Sequence, residues 1–108
     1  MPVLNVLGVV IGGDEYRDEF LEMVAESLRL NRDDPTCQYI DAWQHPIKTH
    51  DYMIVSIWKT EQDLLNWYKS PFHAELRKRG MQGLLKAYFN HQGDLDERKS
   101  HQWKRPDL

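Results

Sequence analysis

The hydrophobic period changes along this chain in an order that few folds accept. Residues Val3–Ile11 are almost continuously apolar and rich in valine, the pattern of a strand covered on both faces, with Asn5 as a polar interruption. Gly12-Gly13 ends that strand, and Asp14 and Glu15 place negative charge where a helix N-terminus favours it. Phe20, Met23, Val24, Ser27 and Leu28 then recur at helical spacing, opposite Arg17, Asp18, Glu22 and Glu26. This predicts a long amphipathic helix, ended by the polar turn at residues 31–35. Cys37–Gln44 returns to a period of two, with Tyr39, Asp41 and Trp43 on one face and Ile40 and Ala42 on the other. After a polar loop, residues 52–58 read as a second strand. Met53, Val55 and Ile57 make its fully apolar face, and Tyr52, Ile54, Ser56 and Trp58 make a mixed one.

Thr60 is a good N-cap with Asp63 three residues on, and Leu64, Leu65, Trp67 and Tyr68 supply a short helix behind it. Ser70-Pro71 restarts the helix with a second cap and a proline at the first helical position. Phe72, Leu76 and Gly80 continue its inward face until the glycines at 80 and 83, and residues 84–89 read as a last strand. The order is β-α-β-β-α-β, which predicts an α+β domain of the ferredoxin-like kind.

A chain of 108 residues suits one core and is too short for two. A domain of this size buries only about two-thirds of the surface its unfolded chain exposes, so a further buried interface stabilises it. If helices cover one side of the sheet, the mixed Tyr52-Ile54-Ser56-Trp58 face needs a cover of its own, and a twin subunit is the economical one. A homodimer is therefore expected. The folded domain is assigned to residues 1–92. Residues 93–108 are polar apart from Leu95, Trp103 and Leu108, and read either as a tail without structure or as an arm across the partner, with Trp103 favouring the arm.

A net charge of −3 argues against a nucleic-acid partner. The one basic cluster, Arg77-Lys78-Arg79, reads as a solvated helix face. Cys37 is the only cysteine, so no internal disulfide forms, as suits a reducing compartment. No apolar run approaches the ~20 residues of a membrane helix, and no secretory leader is apparent. A cytoplasmic protein with no membrane partner is the expectation.

Standard catalytic patterns are missing: there is no Gly-x-Gly-x-x-Gly, phosphate loop, Gly-x-Ser-x-Gly or cysteine pair. The five histidines form no His-x-His or His-x-x-x-His pair, so local spacing offers no metal site. No cofactor is expected from these patterns.

Two stretches carry a family resemblance. One is Ser56-Ile57-Trp58-Lys59-Thr60 followed by Leu64-Leu65-Asn66-Trp67-Tyr68-Lys69-Ser70-Pro71-Phe72-His73; the other is Asp34-Pro35-Thr36-Cys37-Gln38-Tyr39. With the element order, they make roughly residues 3 to 90 resemble the antibiotic-biosynthesis-monooxygenase domain family. The resemblance implies a dimeric α+β barrel, two sheets packed face to face, with a pocket in each subunit between helices and sheet. Members of that family include cofactor-independent oxygenases of quinols and anthrones, haem-degrading enzymes and a few isomerases, and fold alone does not choose among them. Trp67 falls where the haem-degrading branch has its pocket tryptophan, and Asn5 stands two residues from that branch's first-strand asparagine, on the same face. The positions aligned with its iron ligand hold Leu76 and Arg77, and His73 comes about one turn too early. Haem degradation is therefore the alternative reading, and a non-catalytic dimeric binder of a small hydrophobic molecule is another.

The resemblance thus implies first a cofactor-independent monooxygenase acting on an aromatic, phenolic or quinone-type molecule. Such a reaction needs a base, a donor that steadies the developing anion, and a dry aromatic pocket. His73 is the candidate base, because imidazole titrates near neutral pH. Arg77, one turn on, is placed to stabilise an anion. Asn5 and Trp67 are candidates for orienting a ring, with Tyr39 and Trp58 as further lining. Each residue also has a plain structural reading: a paired strand asparagine, core or dimer-packing aromatics, and a histidine near a helix cap.

Overall fold

In the computed structural model, which describes residues 2–93 and 99–104, five strands form one antiparallel sheet with three helices on one side. β1 is Val3–Ile11, α1 Arg17–Arg32, β2 Cys37–Gln44, β3 Asp51–Trp58, α2 Glu61–Tyr68, α3 Pro71–Arg79, β4 Leu85–Gly93 and β5 Lys99–Lys104. The sheet order β2-β3-β1-β4-β5 contains the ferredoxin-like arrangement, extended by β5 at one edge. Among the described residues no helix is long and apolar enough to cross a membrane.

Local chemistry explains the helix boundaries. Thr60 accepts a hydrogen bond from the Asp63 backbone N–H at 3.2 Å, and its hydroxyl donates to the Asp63 carboxylate at 2.8 Å. Ser70 accepts from the His73 N–H at 3.2 Å, with Pro71 at the first helical position. α1 runs into the expected turn as far as Arg32, and the buried Asn31 closes it with its carbonyl, which accepts from the Asp34 N–H. α3 ends in a wide turn at Gly80–Leu84, where Gly83 holds φ 122. A Cβ there would lie 2.9 Å from the Tyr16 hydroxyl, so both backbone and space require glycine.

The core joins Val9, Ile11 and Tyr52 of the sheet to Phe20 of α1 and Leu84 of the turn. The Phe20 and Tyr52 rings lie 4.8 Å apart. A second packing centre lies under α2, where Trp58 and Leu64 are fully buried and Trp67 stacks on Trp58 at 6.4 Å.

The structure corrects which face of β3 the helices cover. Tyr52, Ser56 and Trp58 are the buried residues, so the mixed face packs beneath the helices. The fully apolar Met53-Val55-Ile57 face is the open one. In register with it stand Tyr39, Asp41 and Trp43 of β2, Leu4, Val6 and Gly8 of β1, and Phe89 of β4. Tyr39, Trp43, Met53 and Phe89 leave 40–46% of their surface exposed there. The mixed face sits inside because its polar atoms find partners in one another, as described below.

The last two segments also differ from expectation. β4 continues four residues past 89, to Gly93, and residues 99–104 pair with β4 of the same chain, Trp103 in register with Tyr88. The remainder of the expected arm, residues 94–98 and 105–108, and the side chain of Trp103 lie outside the described residues.

Candidate active site

A cavity of about 390 Å³ lies between α1, α3 and the helix side of the sheet. Its walls are mostly apolar: Leu7 and Val9 of β1, Phe20, Met23 and Val24 of α1, and Leu76, Leu84 and Leu85 near the end of α3. Its size and lining suit a small ring system. Glu19 and Arg79 join α1 to α3 beside it in a two-pronged ion pair, with Arg79 Nε 2.8 Å and Nη2 2.7 Å from the two carboxylate oxygens.

One end of the cavity is polar, and its polar side chains carry no charge. Tyr68 of α2 and Asn90 and Gln92 of β4 line it, with Asn5 of β1 directly behind. The Tyr68 hydroxyl lies 2.8 Å from Asn5 Oδ1 and 3.1 Å from Asn90 Oδ1, and accepts from Gln92 Nε2 at 2.8 Å. Asn90 Nδ2 donates to Asn5 Oδ1 at 2.8 Å and to the Val6 carbonyl at 3.1 Å, while Gln92 Nε2 also donates to Asn90 Oδ1 at 2.6 Å. Asn5 Nδ2 reaches Ser56 Oγ at 3.5 Å, and Ser56 Oγ accepts from Trp58 Nε1 at 3.0 Å. This chain of partners is what allows polar residues to sit inside the domain. Burial pushes the Tyr68 phenol above its ordinary range, against its hydrogen bonds to Asn90, Gln92 and Asn5, so it stays protonated at neutral pH.

His73 and Arg77 line the cavity from α3. The His73 ring stands edge-on to Tyr68 at 4.8 Å and to Trp67 at 5.2 Å. Its Nδ1 is buried without a regular hydrogen bond. Burial, and then the neighbouring Arg77 cation, push its pKa down to about 4, with the Tyr68 carbonyl offsetting part of the shift. The imidazole is therefore neutral at pH 7, and the premise that it titrates near neutrality does not hold in the folded protein. Arg77 Nη2 donates to the Tyr68 carbonyl at 3.3 Å. Among the described residues it is the one cationic side chain of the lining, and the lining holds no carboxylate.

Of the six residues singled out from sequence, His73 and Arg77 line the cavity, and Asn5 stands outside the lining, bonded to the lining residues Tyr68 and Asn90. Trp67 stands outside the lining, wedged between Trp58, Phe72 and His73, where it holds the histidine ring. Trp58 is wholly buried below it and reaches the polar end only through Ser56. Tyr39 does not join them, because β2 alternation puts it on the opposite, open face. Sequence reasoning missed Tyr68, Asn90 and Gln92. The alternation Tyr88-Asn90-Gln92 was the available signal for the last two, and it was lost by ending the strand at 89.

The chain matches the antibiotic biosynthesis monooxygenase family over residues 13–79, more than half of its length. Among solved structures, Rv0793 from Mycobacterium tuberculosis aligns with a TM-score of 0.76 at 14% identity, covering 90% of this chain and 98% of that one. SO0527 from Shewanella oneidensis gives 0.77 at 7% identity, over 92% and 91% of the two chains. A candidate antibiotic biosynthesis monooxygenase from Nitrosomonas europaea gives 0.70 at 11% identity, over 97% and 90%. At such identities the likeness is one of fold. No curated protein matches the sequence.

Proposed function

Because the chain belongs to the antibiotic biosynthesis monooxygenase family, we propose that it oxygenates a small phenolic or quinol-type aromatic molecule without metal or flavin. The observation that carries this reading is the cavity itself, which is apolar along its walls and offers a neutral histidine and an arginine from α3 and a hydroxyl at its uncharged polar end. A hydroquinone bound there supplies all four electrons that reduce O₂. One oxygen atom enters the ring and the other leaves as water, giving a hydroxylated quinone. Removing a proton from the substrate raises its electron density and starts electron transfer to O₂. Arg77 stabilises the resulting anion in a site with little water. His73, neutral at pH 7, takes the substrate's O–H proton and passes it to the oxygen atom that leaves as water. Nδ1 is buried, so the proton transfer is assigned to Nε2 of this cavity-lining ring. Asn5 acts through Tyr68 and Asn90, and Trp67 by fixing the imidazole.

Haem degradation finds less support in this arrangement. The positions aligned with that branch's iron ligand hold Leu76 and Arg77, and His73 comes about one turn too early.

The same reading includes a homodimer, with the open sheet face as its interface. Contiguous exposed apolar surface of this kind marks association sites. Its centre is Met53, Val55 and Ile57, flanked by Tyr39, Trp43 and Phe89. Light scattering at micromolar concentration should give twice the 12.9 kDa chain mass, and a monomer mass would remove this part of the proposal.

Oxygen uptake with 1,4-dihydroxynaphthalene and no added cofactor tests the reaction. Wild-type protein should exceed the spontaneous rate, and His73→Ala should lose most of the excess. A wild-type rate equal to background would instead favour a non-catalytic binder. A sharp Soret band with haemin, followed by turnover with a reductant, would favour the haem reading.

A further inference from the structure

We propose that the Tyr68 hydroxyl is the donor that receives a ligand's carbonyl or phenolate oxygen, making Tyr68 the residue by which this cavity selects oxygenated rings over plain hydrocarbons. This rests on the reading that the cavity is the substrate site, and it adds a contact that reading leaves open.

A count of hydrogens carries the inference. Gln92 Nε2 has two, committed to the Tyr68 oxygen and to Asn90 Oδ1. Asn90 Nδ2 has two, committed to Asn5 Oδ1 and to the Val6 carbonyl. Both amide oxygens near Tyr68 therefore already accept from an amide N–H. The Tyr68 O–H reaches either of them, at 2.8 and 3.1 Å, but has a single proton and leaves neither orphaned if it turns away. It is the spare donor of the cluster, on a side chain that itself lines the cavity. The amide hydrogens of Asn90 and Gln92, the other members of the cluster that line the cavity, are all committed to partners, and Asn5, whose Nδ2 reaches Ser56 Oγ, stands outside the lining.

The acceptance from Gln92 points the same way. A hydroxyl that accepts a hydrogen bond becomes a better donor, and burial keeps it in the phenol form. An oxygen placed beside it would take its proton in exchange for an amide oxygen that does not need it. A hydrocarbon of the same shape would leave the cluster as it stands and gain nothing from it.

Binding of 1-tetralone and of tetralin, which lacks the carbonyl, separates this idea from the oxygenase reading, because neither probe is a hydroquinone. Wild-type protein should bind tetralone about five- to tenfold more tightly than tetralin, the worth of one neutral hydrogen bond. Tyr68→Phe should abolish that preference while leaving tetralin binding unchanged. The variant should fold, since no acceptor loses its last donor and the one cost is a single Gln92 N–H that loses the Tyr68 oxygen while Gln92 stays bonded to Asn90 Oδ1. The infrared carbonyl band of tetralone gives a second readout on the wild type alone, and should move to lower frequency on binding. Equal preference in Tyr68→Phe and wild type, an unshifted carbonyl band, or no tetralone binding by the wild type would each overturn the assignment. Failure of O₂ uptake with a hydroquinone while Tyr68-dependent tetralone binding persists would defeat the oxygenase reading and leave this one standing.

Discussion

Asn5 and Asn90 provide the most demanding test of how the polar end of the cavity is built. Each is buried, and Asn90 Nδ2 donates to Asn5 Oδ1 at 2.8 Å across the β1–β4 pair. Replacing Asn5 with alanine strands one N–H of Asn90. The damage is limited, because Tyr68 still reaches Asn90 Oδ1 and Ser56 still receives the Trp58 indole N–H. A buried donor without a partner costs about 1–3 kcal/mol, so the variant should lose about 2 kcal/mol. Replacing Asn90 with alanine strands one N–H of Gln92 and removes a donor from the Val6 carbonyl, for a loss of similar size. The Asn5–Asn90 bond is broken in both variants. The double variant should therefore fall short of the sum by about 1 kcal/mol. With a urea slope of about 2 kcal/mol per molar for a domain of this size, each single change lowers the midpoint by about 1 M and the pair by about 1.5 M. Protein concentration must be held fixed across the series, since an associating protein gains stability with concentration. Strict additivity, or single variants within about 0.2 M of wild type, would show that the two amides are not partners in a closed network.

Three further outcomes follow from other parts of the structure. The folded-state pKa of His73, about 4, lies below its ordinary 6.5, so between these values the unfolded chain holds a proton that the folded chain does not. Wild-type stability should fall as pH drops through that window. His73→Leu should lose less stability between pH 7 and 4.5 by denaturant titration, and an identical fall in both would contradict the burial of the imidazole. Gly83→Ala forces a side chain onto φ 122 and against Tyr16, at a cost of about 1–3 kcal/mol, and should lower Tm by about 10 °C; an unchanged Tm would mean the turn can relax. The Glu19–Arg79 pair is partly exposed, so Glu19→Gln should cost no more than about 1 kcal/mol, with the difference shrinking in high salt. A larger, salt-independent loss would show that the pair does more than tie α1 to α3.

The site was legible where chemistry is local and lost where it depends on distant partners. The pairing of His73 with Arg77 on one helix face follows from a four-residue spacing, and both do line the cavity. The neutral state of the histidine does not follow from spacing, because it comes from burial, with the Trp67 and Tyr68 rings of α2 packed edge-on against the imidazole. Tyr68 was visible as a helix residue, but its role depends on Asn5, 63 positions earlier, and Gln92, 24 later. Tyr39 was drawn towards the pocket by its aromatic character and stands on the other side of the sheet.

By itself the sequence determined the element order, both caps of the α2–α3 pair and the alternation of β2 and β3, since these depend on residues within a few positions of one another. Only the tertiary structure decided which face of β3 the helices take. An apolar face normally goes inside, yet here the mixed face does, because Ser56 and Trp58 find hydrogen-bond partners there and through Ser56 connect to Asn5 and Asn90. That choice leaves Met53, Val55 and Ile57 as open apolar surface. A period of two assigns residues to opposite faces but cannot label the faces inner and outer; partners brought from distant strands do that.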